Sequence, residues 1–153
     1  MKIAFHSVSV LAATLLISAA ARGADVSVLN GDVDLTISSA PAGQQPASAT
    51  NEACQLQWTT LVVDATKKIT VETNVAVASF ALTVNAVNVS PGDGTSAGQV
   101  TLSTTAEDLV VDVPAGVLVS SPGTCTLRYR ATASAANGTG SDAHTVTFTI
   151  VDQ

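Results

Sequence analysis

His144 and Asp142 are the two residues best spaced for acid–base chemistry, because side chains two apart on an extended strand share a face. An imidazole beside a carboxylate can act as a general base or as one ligand of a metal. Here no Ser/His/Asp arrangement with a nucleophile motif accompanies the pair, and no second ligand set lies nearby. The expectation is a solvated pair at the end of a hairpin. Cys54 and Cys125 are the only cysteines. Two cysteines with His144 fall short of the four ligands of a structural zinc site, and neither cysteine has a histidine in its local sequence to activate it. Carboxylates gather at turn positions: Asp25, Asp32 and Asp34, then Asp93 in a Pro-Gly-Asp-Gly run, Glu107 and Asp108, and Asp142. Calcium takes six to eight hard oxygens. Asp32 and Asp34 beside Asn30, with Asp93, are the calcium candidates, but no loop has the spacing of a complete site. No cofactor is expected. Arg128 and Arg130 share the outward face of one strand, where pairing with cross-strand acids is expected over an anionic docking spot. Lys67-Lys68 reads as a solvated turn. Asn88-Val89-Ser90 and Asn137-Gly138-Thr139 match the glycosylation sequon. The glycines at Gly92, Gly94 and Gly98 do not lead into a helix, so they form no phosphate cradle.

The segment before residue 24 changes how these residues read. Lys2 precedes an apolar stretch, Val8–Ala21, and Ala21-Arg22-Gly23 fits a small-x-small cleavage site. The stretch is shorter than the roughly 20 residues of a spanning helix. Residues 1–23 are therefore expected to be an export signal, and 24–153 a single secreted, periplasmic or cell-surface domain of 130 residues. No integral membrane segment is expected after cleavage. In an oxidising compartment Cys54 and Cys125 are expected to form one disulfide. Such a bridge would contribute about 4 kcal/mol on chain-entropy arithmetic. Ala24–Gln153 carries 4 basic and 12 acidic residues and four aromatics, Trp58, Phe80, Tyr129 and Phe148. That acidity argues against nucleic acid as a partner. The scarcity of aromatics leaves little for a carbohydrate platform.

The patterning is alternating almost throughout. Cys125, Leu127, Tyr129, Ala131 and Ala133 point one way along Thr124–Ala133. Val146, Phe148 and Ile150 point inward along His144–Val151. Ser134–Ala143 reads as a hairpin loop between those strands. Asp25–Leu29 and Val33–Ile37 flank an Asn30-Gly31 turn, and Ser39–Asn51 reads as a loop. Cys54, Leu56 and Trp58 share a face on a strand running toward Val63. Further strands carry Ile69, Val71 and Thr73; Phe80, Leu82, Val84 and Ala86; Val100 and Leu102; and Leu109, Val111 and Val113. Ser90–Gly98 is a long turn. Eight or nine short strands with turns between them predict an all-β fold, an antiparallel sandwich of about 7–9 strands. The Cys-x-Leu-x-aromatic pattern recurs at Cys54–Trp58 and Cys125–Tyr129, which would set the disulfide beside the Trp58 and Tyr129 rings.

The run Pro122–Ile150, PGTCTLRYRATASAANGTGSDAHTVTFTI, resembles the last two strands of bacterial Ig-like and hyalin-repeat-like surface domains. The resemblance covers about 30 residues of the domain. It implies an Ig-like sandwich serving as a non-catalytic structural, adhesive or binding module. The same C-terminus resembles chaperone–usher pilin subunits, with Gly140 followed by alternating Val146, Phe148 and Ile150. That resemblance implies a filament subunit joined by strand donation, with Ala24–Ile37 donated. Val26, Val28, Val33, Leu35, Ile37, Val146, Phe148 and Ile150 would lie on the assembly strands. Partners would then be a protein or a second copy meeting edge strands. A third reading, a small secreted hydrolase using carboxylates, requires a cleft holding perturbed acids.

Overall fold

A computed structural model describes the backbone of Val8–Leu11 and residues 23–39, 45–137 and 140–153. The expected export signal lies outside the described residues except for Val8–Leu11 and Gly23. Gly138 and Thr139 of the second sequon lie outside as well. The chain is all-β. Its strands are β1 (Val8–Leu11), β2 (Asp25–Leu29), β3 (Val33–Leu35), β4 (Ala47–Thr59), β5 (Lys67–Thr73), β6 (Ala81–Val87), β7 (Thr95–Ser96), β8 (Gln99–Thr101), β9 (Glu107–Val113), β10 (Gly123–Ala133) and β11 (Ala143–Asp152). They form two packed sheets, ordered β2-β4-β10-β6-β8 and β3-β1-β11-β5-β9-β7. Every pairing is antiparallel except β1 with β11.

The sandwich follows from alternation. Along β10 every odd position from Gly123 to Ala133 is buried. These side chains meet Leu56 and Trp58 of β4 and Leu82, Val84 and Ala86 of β6. The facing sheet supplies Val33, Leu35, Ile69, Val71, Leu109, Val110, Val113 and Val146. Phe148 and Ile150 are partly buried against this core, and Val26 and Ile37 close its flank.

Several expected boundaries are corrected. Ser39–Asn51 is not wholly a loop, because Ala47–Asn51 forms the first part of β4. Its inward positions change parity midway, with Ala47, Ala49 and Asn51 half-buried and Cys54, Leu56 and Trp58 buried. A bulge at Glu52-Ala53 opposite Arg128 causes the change, and the β4–β10 register shifts there. β4 stops at Thr59, leaving Leu61–Val63 exposed. The Ser134–Ala143 connection is not a hairpin, since β10 and β11 belong to different sheets. Asn30-Gly31 likewise carries the chain from one sheet to the other, with Asn30 left-handed at φ 57°. On β9 the expected inward set Leu109, Val111, Val113 is replaced by Leu109, Val110 and Val113. Asp112 has φ 54° and its pairing with β5 is irregular, which breaks the alternation.

Trp58 occupies a slot made by a glycine. It lies opposite Gly123, and a Cβ at Gly123 would collide with the indole at Nε1. The indole N–H donates to the Asp93 carbonyl at 3.1 Å, so the buried ring keeps its polar atom satisfied. Gly123→Ala is therefore expected to destabilise the domain by about 1–3 kcal/mol through overpacking. Urea denaturation read by Trp58 fluorescence checks this, and an unchanged midpoint would show that the ring can yield.

Candidate interaction surface

The expected Cys54–Cys125 disulfide is not formed; both cysteines are buried and free. The register explains why. Cys54 lies opposite Leu127 and Cys125 opposite Leu56, so the thiols are diagonal neighbours on adjacent strands. Diagonal neighbours lie about 7–8 Å apart, their Cβ atoms somewhat closer but still beyond the roughly 3.8 Å a disulfide spans. Cys54 Sγ instead donates to the Asn30 carbonyl at 2.6 Å. Burial, with the nearby Asp32 charge, raises the Cys54 thiol pKa. Burial pushes Cys125 up to about 12, against a backbone hydrogen bond from Leu56 that lowers it. Burial, followed by the two neighbouring cysteines, also raises the Tyr129 phenol pKa. Trp58 and Tyr129 are buried as expected. The cluster is inert packing, because a buried thiol of raised pKa is a poor nucleophile. Ellman's reagent should therefore leave the native chain unmodified near pH 8 and titrate both Cys54 and Cys125 after unfolding without reductant. Silent thiols in the unfolded chain would contradict the free cysteines.

His144 is not a solvated hairpin residue. It is buried, and its Nδ1 lies 3.0 Å from Thr73 Oγ1. Asp142 turns away to the loop between β5 and β6, where it accepts from the Ser79 backbone N–H at 2.6 Å and hydroxyl at 2.9 Å. Burial lowers the His144 pKa, while the Asp142 charge opposes it. The folded state therefore binds this proton less readily than the unfolded chain. Stability is full above the unfolded pKa near 6.5 and declines as pH falls from there toward the lower folded value. His144→Gln should flatten the loss of melting temperature between about pH 6.5 and 5. An unchanged slope would place the acid sensitivity elsewhere.

The charged residues mostly pair. Arg128 Nε meets Glu52 Oε1 at 2.5 Å across the bulge, the cross-strand pairing expected of it. Arg130 reaches Ser48 Oγ at 3.4 Å. Lys67, expected in a solvated turn, is buried and holds Asp152 at 2.5 Å, with Asp64 at 3.7 Å. The Asp152 hydrogen bond leads in raising its pKa. Asp93 accepts from Ser90 Oγ at 2.6 Å. Among the described residues, no group of three or more His, Cys, Asp or Glu side chains is placed to hold a metal. An open cleft between β8 and β9 is lined by Gln99, Thr101, Glu107 and Asp108, and Lys68 pairs with Asp108 there at 2.8 Å.

The surface that stands out is apolar. Leu61, Val62 and Val63 are 42%, 75% and 87% exposed, and Leu118 and Val119 are 53% and 84% exposed. They sit on the loops after β4 and β9. Thr60 N–H donates to the Val117 carbonyl at 2.9 Å, and Gly116 N–H to the Leu61 carbonyl at 3.0 Å. Thr60 Oγ1 donates to the Pro114 carbonyl at 2.7 Å and accepts from Val117 N–H at 3.0 Å. Asp64 carboxylate accepts from Leu61 N–H at 2.6 Å and braces the first loop. Two cross-linked loops thus hold five aliphatic side chains in water at one end of the sandwich. The sequence signal was Leu61-Val62-Val63, an apolar run just past a strand, which alternation alone reads as more strand.

The expected assembly residues are already engaged. Val26 lies in β2 beside β4, Val28 packs on the core, and Val33, Leu35, Ile37 and Val146 are buried. Among the described residues β3 pairs in its sheet with β1 alone, and β1 lies between β3 and β11. No helix among the described residues is long and apolar enough to cross a membrane. Comparison with family models, curated proteins and solved structures finds no match.

Proposed function

We propose that the protein is an exported, non-catalytic β-sandwich module that acts through contact with another protein. The exposed aliphatic end, Leu61–Val63 with Leu118 and Val119, carries this reading. Loops that display several large aliphatics in water lose solubility unless a partner covers them. The bracing hydrogen bonds at Thr60 and Asp64 keep the display rigid, which lowers the entropic cost of docking. The acidic surface adds no preference for nucleic acid, and the export signal expected at 1–23 places the contact outside the cytoplasm. Val62→Asp with Val119→Asp should leave the fold intact and abolish binding of apolar-surface probes such as ANS. It should also abolish any concentration-dependent increase in mass seen by light scattering. Unchanged dye binding and mass in that variant would move the contact elsewhere.

A second reading is a subunit assembled by strand donation. The observation favouring it is that, among the described residues, β3 joins its sheet only through Val8–Leu11, a segment inside the expected signal.

A further inference from the structure

The tetrapeptide that lies between β3 and β11 occurs twice in this chain. Val8-Ser9-Val10-Leu11 is repeated as Val26-Ser27-Val28-Leu29, which is most of β2. Among the described residues β2 is an edge strand, paired only with β4. The first copy sets a register against β3. Val8 lies opposite Leu35, Ser9 opposite Asp34 and Val10 opposite Val33. Substituting the second copy in that register sets Val26 opposite Leu35, Ser27 opposite Asp34 and Val28 opposite Val33. The ladder then closes at Leu29 and Asp32 around Asn30-Gly31. Asn-Gly is the preferred pair for a two-residue hairpin turn with both residues left-handed. Asn30 already has φ 57°, and Gly31 has no Cβ to resist joining it.

We propose that the slot between β3 and β11 is a strand-binding site which, once the leader is removed, is filled by Val26–Leu29 of the same chain. The inference rests on reading residues 1–23 as an export signal. With the leader in place, Val8–Leu11 holds the slot and β2 stays on β4. Removing it leaves β11 unpaired on one side and β3 without a strand neighbour. In the slot the VSVL segment gains two ladders, to β3 and to β11, in exchange for the one to β4. Ser27 would lie opposite Ala143 and Val28 opposite His144, as Ser9 and Val10 do now. A hairpin partner joined by two residues outcompetes a separate chain through effective concentration. The exchange uncovers the outer edge of β4, Gln55–Thr59, next to the apolar end, so leader removal creates a new edge for a partner strand.

The test uses the full chain with a specific protease site inserted after Arg22, followed by hydrogen exchange and light scattering before and after cutting. After the cut, the slot-facing amides of Val33–Leu35 and His144 should keep their protection, whereas the Thr145 amide is held by Asn74 in either case. Those amides of Gln55–Thr59 that face β2 rather than β10 should exchange about tenfold faster or more, with the mass still that of one chain. Gly31→Val, which disfavours the turn, should reverse this pattern: β4 stays protected and the slot amides exchange. Loss of protection in the slot of the cut parent chain, with β4 unchanged, overturns the proposal. So does an oligomer whose slot is protected, since a second copy then fills it; that result leaves the strand-donation reading standing. A cut chain that unfolds overturns it as well.

Discussion

The ladder between β4 and β10 is the constraint on which the rest of the sandwich depends. β10 places six inward positions in a row, and β4 must match them along its whole length. A single bulge at Glu52-Ala53 lets one long strand do so while turning its other face to water. Trp58 then fits only because Gly123 faces it, and its indole reaches Asp93 in the loop after β6. The same register keeps Cys54 and Cys125 diagonal, which makes them a packed pair of thiols. Stability here comes from apolar area and satisfied backbone, with no covalent clamp.

Most of the fold was legible because period-2 alternation is a direct consequence of one buried sheet face. The apolar inward sets of β10, β5 and β6 follow from it, with Lys67 of β5 and Thr83 of β6 buried beside them. What failed was non-local or irregular. The β9 phase depends on Asp112 taking a left-handed conformation, braced by Gln153, whose side-chain oxygen accepts the Asp112 N–H at 2.7 Å. Nothing in an Asp-Val sequence announces that. Whether two successive strands form a hairpin or cross between layers is decided by packing on the opposite sheet; the Asn30-Gly31 turn has its positive φ, while Ser134–Ala143 crosses between sheets where its composition suggests a hairpin. His144 and Lys67 were placed in water because their types favour it. Each is buried with a partner from a distant strand, Thr73 for one and Asp152 for the other. The disulfide failed for a related reason, since compartment chemistry speaks to redox state and register speaks to distance.

The functional surface was less legible than the core. Catalytic motifs announce themselves by residue type, whereas a docking face is defined by what a folded chain leaves uncovered. Leu61–Val63 looks like strand in the sequence, and Leu118-Val119 looks like an approach to one. Only the hydrogen bonds from Thr60 and Gly116 reveal that both are loops joined at one end.

Sheet edges connect this surface to the N-terminal segment Val8–Leu11. A sandwich is stable only when its edges are short, covered or paired. β7 and β8, of two and three residues, keep their edges short. On the opposite flank the six-stranded sheet is extended by Val8–Leu11, and β3 reaches that sheet only through it. A parallel strand inserted in an otherwise antiparallel array is not delivered by a hairpin; it must arrive from a distant part of the chain. Pairing at that flank is therefore supplied by Val8–Leu11, and under the proposed export reading the backbone groups it vacates are re-paired or left to water. A chain that carries a second copy of the same four residues at its other edge has the means to re-pair them from within.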